Sequence, residues 1–386
     1  MKYVDINKLN YQLMRSGKFI TQLSGDLKYK AFIPSSPFLD IQYDNNLRDI
    51  LSKADMALGR LDGIAEIIPD VDFFIMMYVR KEATLSSQIE GTQATFSDLL
   101  KAEANIETGN DVDEIINYVD AMNYGLVRMK ELPLSLRLIQ EIHNKLLKGV
   151  RGEHKAPGEF RTSQNWVGGS SIQNAAYVPP PHFEMKEALY EFEKFLHDKT
   201  DYPILIKTGI IHSQFESIHP FLDGNGRIGR LLITHYLCHR NILKKPLLYL
   251  SEFFKKHKQE YYDRLTAIRE KDDVEGWLKF FLDGVKVTAD SAVETIRKII
   301  LLKQTDTESI IKRGKNNKNS LKLLNYLYKS PVITVKNAEE ILNLKNPNAI
   351  KVISNLEDIG ILKEITGYKR NRVFMYKQYT GLFFEK

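Results

Sequence analysis

The chain has 386 residues, 43% hydrophobic and 27% charged, which suits a soluble globular protein of two or three domains with a sizeable core. No apolar run approaches a membrane span, and the polar start Met1-Lys-Tyr-Val-Asp-Ile-Asn-Lys8 is unlike a signal peptide. No membrane partner and a cytoplasmic location are therefore expected. The single cysteine, Cys238, excludes an internal disulfide framework, fits a reducing compartment, and lies in an apolar run as a core thiol would. No Cys/His cluster has zinc spacing, and neither a P-loop nor a Rossmann fingerprint is present. Net charge is +6, but residues 311–386 hold 15 Lys and Arg against 6 Asp and Glu, so this tail carries +9 and the remainder −3.

In chain order, residues 1–45 are poorly patterned, and extended chain with short turns is expected there. Leu47, Leu51, Ala54, Leu58, Leu61 and Ile64 repeat at helical spacing. Pro69-Asp-Val-Asp72 breaks that helix, and the next is predicted from Phe73 to Glu90, with Gly91 as its stop. Glu90 then sits in a last turn, where the helix dipole disfavours a carboxylate by a few tenths to ~1 kcal/mol. Such a breach of a local rule marks a place to look for function. Ser86, four residues earlier on the same face, is positioned to hold that carboxylate.

Helices are predicted near 111–129 and 134–148. Residues 153–182 change character: Pro157-Gly-Glu-Phe-Arg161, Asn165-Trp-Val-Gly-Gly169 and Ala176-Tyr-Val-Pro-Pro-Pro181 read as a hairpin or extended loop. A helix follows at 184–197, and Pro203 opens another that contains His212, expected to be a core histidine. A long helix near 276–303 closes the body. Lys312–Ser320 reads as a polar, basic linker. Beyond it come helices near 320–329, 334–343 and 347–358, the last with Asn346 as N-cap, and a hairpin over 361–376 turning near Gly367.

His219-Pro-Phe-Leu-Asp-Gly-Asn-Gly-Arg-Ile-Gly-Arg230 concentrates chemistry within twelve residues. Gly224, Asn225 and Gly226 tolerate positive φ and feed an apolar-periodic helix, so several N–H groups point one way from a helix start. Arg227 and Arg230, three apart, share a face over the first turn and can grip phosphate oxygens. Asp223 offers a hard oxygen for Mg²⁺, and His219 is the one group able to accept a proton near neutral pH.

This stretch resembles, at every fixed position, the motif of the Fic family, His-x-Phe-x-(Asp/Glu)-Gly-Asn-Gly-Arg-x-x-Arg. The resemblance implies a mainly α fold: a Fic-type helical bundle with a β-hairpin flap. It implies an adenylyltransferase that moves AMP from ATP to a Ser, Thr or Tyr hydroxyl of a target protein. His219 would be the general base and Asp223 the Mg²⁺ ligand. Gly224, Asn225 and Gly226 would form the anion hole, with Arg227 and Arg230 on the triphosphate. Gly226 stands where a kinase-like branch carries Lys, which favours nucleotidyl transfer. Tyr249, Ser251 and Tyr262 fall in the stretch that resembles the adenine pocket. Ser86-Ser-Gln-Ile-Glu-Gly91 resembles the family's inhibitory motif, which would pair Glu90 with Arg230 and block seating of the γ-phosphate. The flap near 160–180 would dock the target by backbone pairing, and relatives often dimerise, so a homodimer is among the expected states.

The last helices and hairpin resemble a winged helix-turn-helix, with Asn348, Lys351 and Asn355 facing out and Lys369, Arg370 and Arg372 crowning the wing. Duplex DNA and protein are both open as its partner, since basic excess speaks to phosphate affinity and not to base readout. The expected organisation is an N-terminal helical region with the inhibitory helix (1–110), a catalytic domain (111–310) and this small domain (311–386). Two rival functions share the same residues: a DNA-binding regulator with a nucleotide-sensing body, and a hydrolase removing AMP with Glu90 acting on water.

Overall fold

The computed structural model describes residues 14–67, 72–104, 106, 109, 111–199, 202–314, 317–368 and 370–383. The Pro69-Asp-Val break and Lys369 lie outside the described residues. The fold is mainly α, with two small antiparallel sheets.

The N-terminal segment is more regular than its sequence suggested. Strands β1 (Gly17–Gln22) and β2 (Tyr29–Pro34) form a hairpin. Arg15 ties this hairpin to the body through Asp272 (3.0 Å) and Glu275 (2.9 Å), and Ser16 Oγ donates to Ile268 O at 2.7 Å.

Helix α1 (Asn45–Ile67) buries Leu47, Ala54, Leu58 and Leu61, the stripe its periodicity predicts. Helix α2 (Asp72–Ile89) follows, and Gly91 at φ 100° turns the chain out of it. A short helix unanticipated from sequence, α3 (Phe96–Glu103), starts on a Thr95/Asp98 capping box. Next come α4 (Val112–Arg128), α5 (Leu136–Leu146), α6 (His182–His197) and α7 (Ile204–Ile218). These lead to α8 (Asn225–His239), α9 (Ser251–Lys256), α10 (Lys258–Lys271) and the 40-residue α11 (Val274–Arg313). Helix α1 packs along α11, and α7 and α8 form a nearly all-buried hairpin at the centre.

The expected linker is largely helical, because α11 continues to Arg313. Gly314 caps it at φ 76°, and α12 (Asn317–Leu327) begins three residues later. Strand β3 (Val332–Thr334), α13 (Val335–Leu342), α14 (Asn346–Asp358), β4 (Lys363–Glu364), β5 (Val373–Met375) and α15 (Lys377–Thr380) complete the chain, with sheet order β3-β5-β4. Lys345, not Asn346, is the N-cap of α14; Asn346 is already helical, with Pro347 in the first turn. The hydrophobic core runs unbroken from α1 to Phe383.

One expectation needs correction. Residues 153–182 do not form a hairpin ladder. Val167 and Tyr177 exchange two backbone hydrogen bonds (2.8 and 3.1 Å) as a single bridge, because Gly168 and Gly169 at positive φ turn the chain immediately.

Candidate functional site

The site is the loop between α7 and α8. Its first residue, His219, caps α7 in the left-handed region (φ 49°, ψ 59°), a conformation that costs energy for a side chain with a Cβ. Several contacts hold it there. The buried Arg161 guanidinium donates to His219 O at 3.0 Å and to Ser163 O at 3.2 Å, and the Arg161 N–H donates to Pro220 O at 2.9 Å. Asn225 closes the turn with both ends of its amide: Phe221 N–H donates to its Oδ1 at 2.9 Å, and its Nδ2 donates to Phe221 O at 2.8 Å. Its side chain therefore braces the loop, leaving its backbone N–H at the start of α8.

His143 fixes the other side. Gly158 N–H donates to its Nδ1 at 2.8 Å, so the proton sits on Nε2 and is donated to Asp223 O at 3.0 Å. Its ring stacks on Phe221 with centroids 3.7 Å apart.

Helix α8 starts at Gly224 (φ 76°) with no side-chain cap, so its first N–H groups have no intrahelical acceptor. The two arginines of its first turns differ sharply. Arg230, buried, gives Nε to Ser86 Oγ (2.8 Å) and Nη2 to Ser86 O (3.0 Å) and Glu90 Oε1 (2.7 Å). Arg227, 1% exposed, lies 3.6 Å from Glu114 and 3.5 Å from Asp223, yet its Nε and Nη1 make no hydrogen bond. A buried guanidinium with unmade bonds is costly unless a ligand completes it.

Glu90 lies over the glycine turn. A Cβ added to Gly226 would overlap Glu90 Oε1 and come within 3.0 Å of Arg230 Nη1, so only glycine fits beneath that carboxylate. Burial opposes ionisation of Glu90, but the charge and hydrogen bond of Arg230 outweigh it and hold the carboxyl below its ordinary range. Ser86 acts differently from expectation. Helix α2 stops at Ile89, so Glu90 leaves the helical face and Ser86 accepts from Arg230.

Burial and the nearby Arg161 charge lower His219 to about 4, so its imidazole is neutral at physiological pH. Asp223 is about a third exposed; its Oδ1 accepts from Gly224 N–H at 2.6 Å. Among the described residues no group of three or more His, Cys, Asp or Glu could hold a metal by itself. One hard carboxylate beside an uncapped helix start nevertheless fits Mg²⁺, which takes few protein ligands.

Of the three residues expected in the adenine pocket, only Tyr262 is exposed (38%), beside Tyr261. Ser251 is fully buried, its Oγ and N–H both donating to Glu82. Tyr249 lines a cavity of about 30 Å³ beside α2 with Tyr78, Glu82 and Phe383. His212 is a core residue, bonded to Gly229 O and the Tyr261 hydroxyl (2.9 Å each).

Sequence reasoning passed over four side chains. Arg161 stood in the Pro-Gly-Glu-x-Arg element without a role. Glu114 gathers Thr92 Oγ1 (2.7 Å), Arg151 (3.5 Å) and Arg227. Glu216, one turn before His219, is pushed up to about 7 by burial, and its Oε1 has no partner. Arg269 stacks on Tyr177 at 3.7 Å.

Residues 48–127 match the Fic/DOC family N-terminal domain and residues 133–237 the Fic/DOC family domain. The chain carries Fic/DOC family domains. It is 26% identical over 297 residues to a probable protein adenylyltransferase of Aquifex aeolicus, covering 74% of this chain and 83% of that protein. It is 30% identical over 214 residues to the protein adenylyltransferase Fic of Aedes aegypti, covering 52% of this chain and 39% of that longer protein. The fold is shared with a Fic family protein of Desulfovibrio desulfuricans, with a TM-score of 0.56 and 16% identity over 87% of this chain and 97% of that one. Among the described residues no helix is long and apolar enough to cross a membrane.

Proposed function

We propose that this Fic/DOC protein is a protein adenylyltransferase that moves AMP from ATP to a hydroxyl of a target protein, restrained by its own Glu90. The observation that carries this reading is Arg227: a buried guanidinium with unmade hydrogen bonds at an uncapped helix start, in the same twelve-residue stretch as a neutral histidine. That combination suits a polyphosphate next to a base.

In the reaction the target hydroxyl oxygen attacks the α-phosphorus, the bond from that phosphorus to the α,β-bridging oxygen breaks, and pyrophosphate leaves. His219 takes the hydroxyl proton. The N–H groups of Asn225 and Gly226, with Arg227, hold phosphate oxygens, and Arg230 takes the γ end once Glu90 releases it. Tyr262, exposed on α10, would stack on the adenine base. Asp223 would hold Mg²⁺, which supplies charge neutralisation on the phosphates. As folded, the Glu90 carboxylate occupies the arginine donors and places negative charge over the glycine turn, opposing productive seating of the triphosphate. The loop over 160–180 would receive the target segment by backbone pairing. Incubating the protein with α-labelled ATP, Mg²⁺ and host lysate tests the reading. Labelled bands carrying AMP are expected; no transfer to any acceptor, even with Glu90→Gly, overturns it.

The C-terminal helices and sheet support a second role. The order α12-β3-α13-α14-β4-β5 is compatible with the winged helix-turn-helix expected from the sequence. Asn348 and Lys351 are exposed on α14 and Arg370 is exposed at the hairpin tip, while Asn355 is half-buried and Arg372 lies over Phe374 at 5.3 Å. Duplex DNA binding should then weaken steeply with salt. Binding that is absent at low salt assigns the module to protein contacts.

A further inference from the structure

The loop expected to receive the target offers no means of selecting it by charge. Residues 162–181 contain no Asp, Glu, Lys, Arg or His. Backbone pairing alone gives affinity without selection, so selection has to come from side chains in neighbouring walls.

One wall is the N-terminal hairpin. Between it, the loop and α10 lies an open cavity of about 640 Å³ whose lining includes Phe19, Lys28, Lys30, Tyr177, Arg269 and Glu270. Lys28 and Lys30 are two apart in extended backbone, so their side chains share a face. Both are exposed, and neither has an ion-pair partner among the described residues. Three cations against one carboxylate leave the lining with a balance of +2.

The walls are fixed in place. Phe32 N–H donates to Val178 O at 3.0 Å, joining β2 to the loop, and the Arg15 and Ser16 bonds tie the hairpin to α10 and α11. A preformed groove spares the ordering cost of binding. One wall of the cavity is bonded to the end of α7, which carries His219. The Tyr177 hydroxyl donates to Ser217 O, two residues before His219, and the Arg269 charge contributes to the depressed basicity of His219.

We propose that this groove reads the target: an acidic segment beside the accepting hydroxyl docks between the hairpin and the loop, its carboxylates against Lys28 and Lys30. The proposal rests on the adenylyl-transfer reading for its purpose but can be measured without catalysis.

The test uses fluorescein-labelled short peptides with one Ser, Thr or Tyr flanked by glutamates, or by lysines in the same positions. Binding to the full chain is read by fluorescence anisotropy. The glutamate peptides should bind roughly five- to tenfold more tightly, as two partly exposed ion pairs allow, and the margin should shrink with added salt. Lys28→Glu/Lys30→Glu should abolish or invert the preference, and Lys28→Gln/Lys30→Gln should reduce it. Equal binding of both peptide classes, or a preference unchanged in the charge-reversed protein, overturns the groove. Labelling with α-labelled ATP in the Glu90→Gly background is read separately. Transfer without charge preference sinks only the groove, and charge-selective binding with no transfer to any acceptor sinks only the adenylyl-transfer reading.

Discussion

The two ends of the α8 turn are finished to different degrees. At the Arg230 end the guanidinium is satisfied by Ser86 and Glu90. At the Arg227 end, a few ångströms along the same helix, Nε and Nη1 are buried without a hydrogen bond, Nη1 standing 3.6 Å from Glu114. A protein rarely leaves such groups without a hydrogen bond, and in the proposed function a ligand completes the Arg227 end while Glu90 holds the Arg230 end. In the proposed reaction this divides the triphosphate: the cradle for the inner phosphates stands ready, while the seat for the outer one is taken by a carboxylate.

The strongest way to break the comparison is to remove the chemistry and leave both ends intact. His219→Ala should lower AMP transfer by ~10²–10⁴-fold, the usual cost of a lost general base, while ATP binding measured by calorimetry stays close to wild type. Near-wild-type labelling would move the base elsewhere. The protonation state can be checked directly. A histidine lowered from 6.5 to about 4 is essentially neutral at physiological pH, so its ring resonances in the ligand-free protein should titrate with a midpoint near 4. A midpoint near 6.5 would contradict the burial and Arg161 charge that set it.

Removing the carboxylate makes the two ends alike. Glu90→Gly frees Arg230 from a charge-assisted hydrogen bond worth ~1.5–3 kcal/mol, so transfer should rise roughly 10- to 100-fold. Arg230→Ala should not reproduce the rise, because the phosphate grip leaves with the brake. A folded Glu90→Gly protein no faster than wild type removes the inhibitory role. Loss of AMP from modified protein that is faster in wild type than in Glu90→Gly would point to the hydrolytic reaction.

Gly226→Ala sharpens the same point with a smaller effect. Its Cβ would overlap Glu90 Oε1, so the carboxylate must shift. The methyl also crowds the anion hole, so transfer should change less than with Glu90→Gly. A rise as large as that of Glu90→Gly would mean that no phosphate approaches Gly226.

The legible part of this site was contiguous. His219 to Arg230 gathers the candidate residues in one loop and one helix start, and Glu90 drew notice because the expected helix put it in a last turn, although α2 stops one residue earlier. The rest depends on distant segments meeting. Glu114 reaches Arg227 from α4, and Arg269 reaches Tyr177 from α10; a lone Glu or Arg on an amphipathic helix reads as solvated surface until its neighbours are known. The β1–β2 hairpin escaped because its strands are short and only weakly alternating, although Ser24-Gly25-Asp26 was an available turn signal. The supposed linker was misjudged because its Lys residues suit an exposed helix as well as a spacer, while its Asn residues argue against a helix.

The smallest predicted effect concerns what holds Glu90 in place. Ser86 and Glu90 lie at one end of α2, while the other end packs against the C-terminal module. Phe383, buried, sets its ring edge-on to Tyr78 with centroids 5.3 Å apart, and Arg80 donates to Lys329 O at 2.8 Å. Tyr78 and Glu90 are twelve residues apart, roughly 18 Å along a helix, and a rigid helix transmits a loosened anchor to its far end. Phe383→Ala should remove that anchor at a cost of ~3–5 kcal/mol in stability if the site cannot collapse. Transfer should rise only a few-fold, because the Arg230 contact itself is untouched. Stability alone would not prove the link, since any core truncation lowers a melting temperature. The decisive measurement is therefore the pair: Phe383→Ala should accelerate transfer in the wild-type background and add nothing on top of Glu90→Gly, where there is no carboxylate left to loosen. Equal acceleration in both backgrounds would mean that Phe383 acts elsewhere than on α2. No acceleration in either would make the C-terminal module indifferent to the brake.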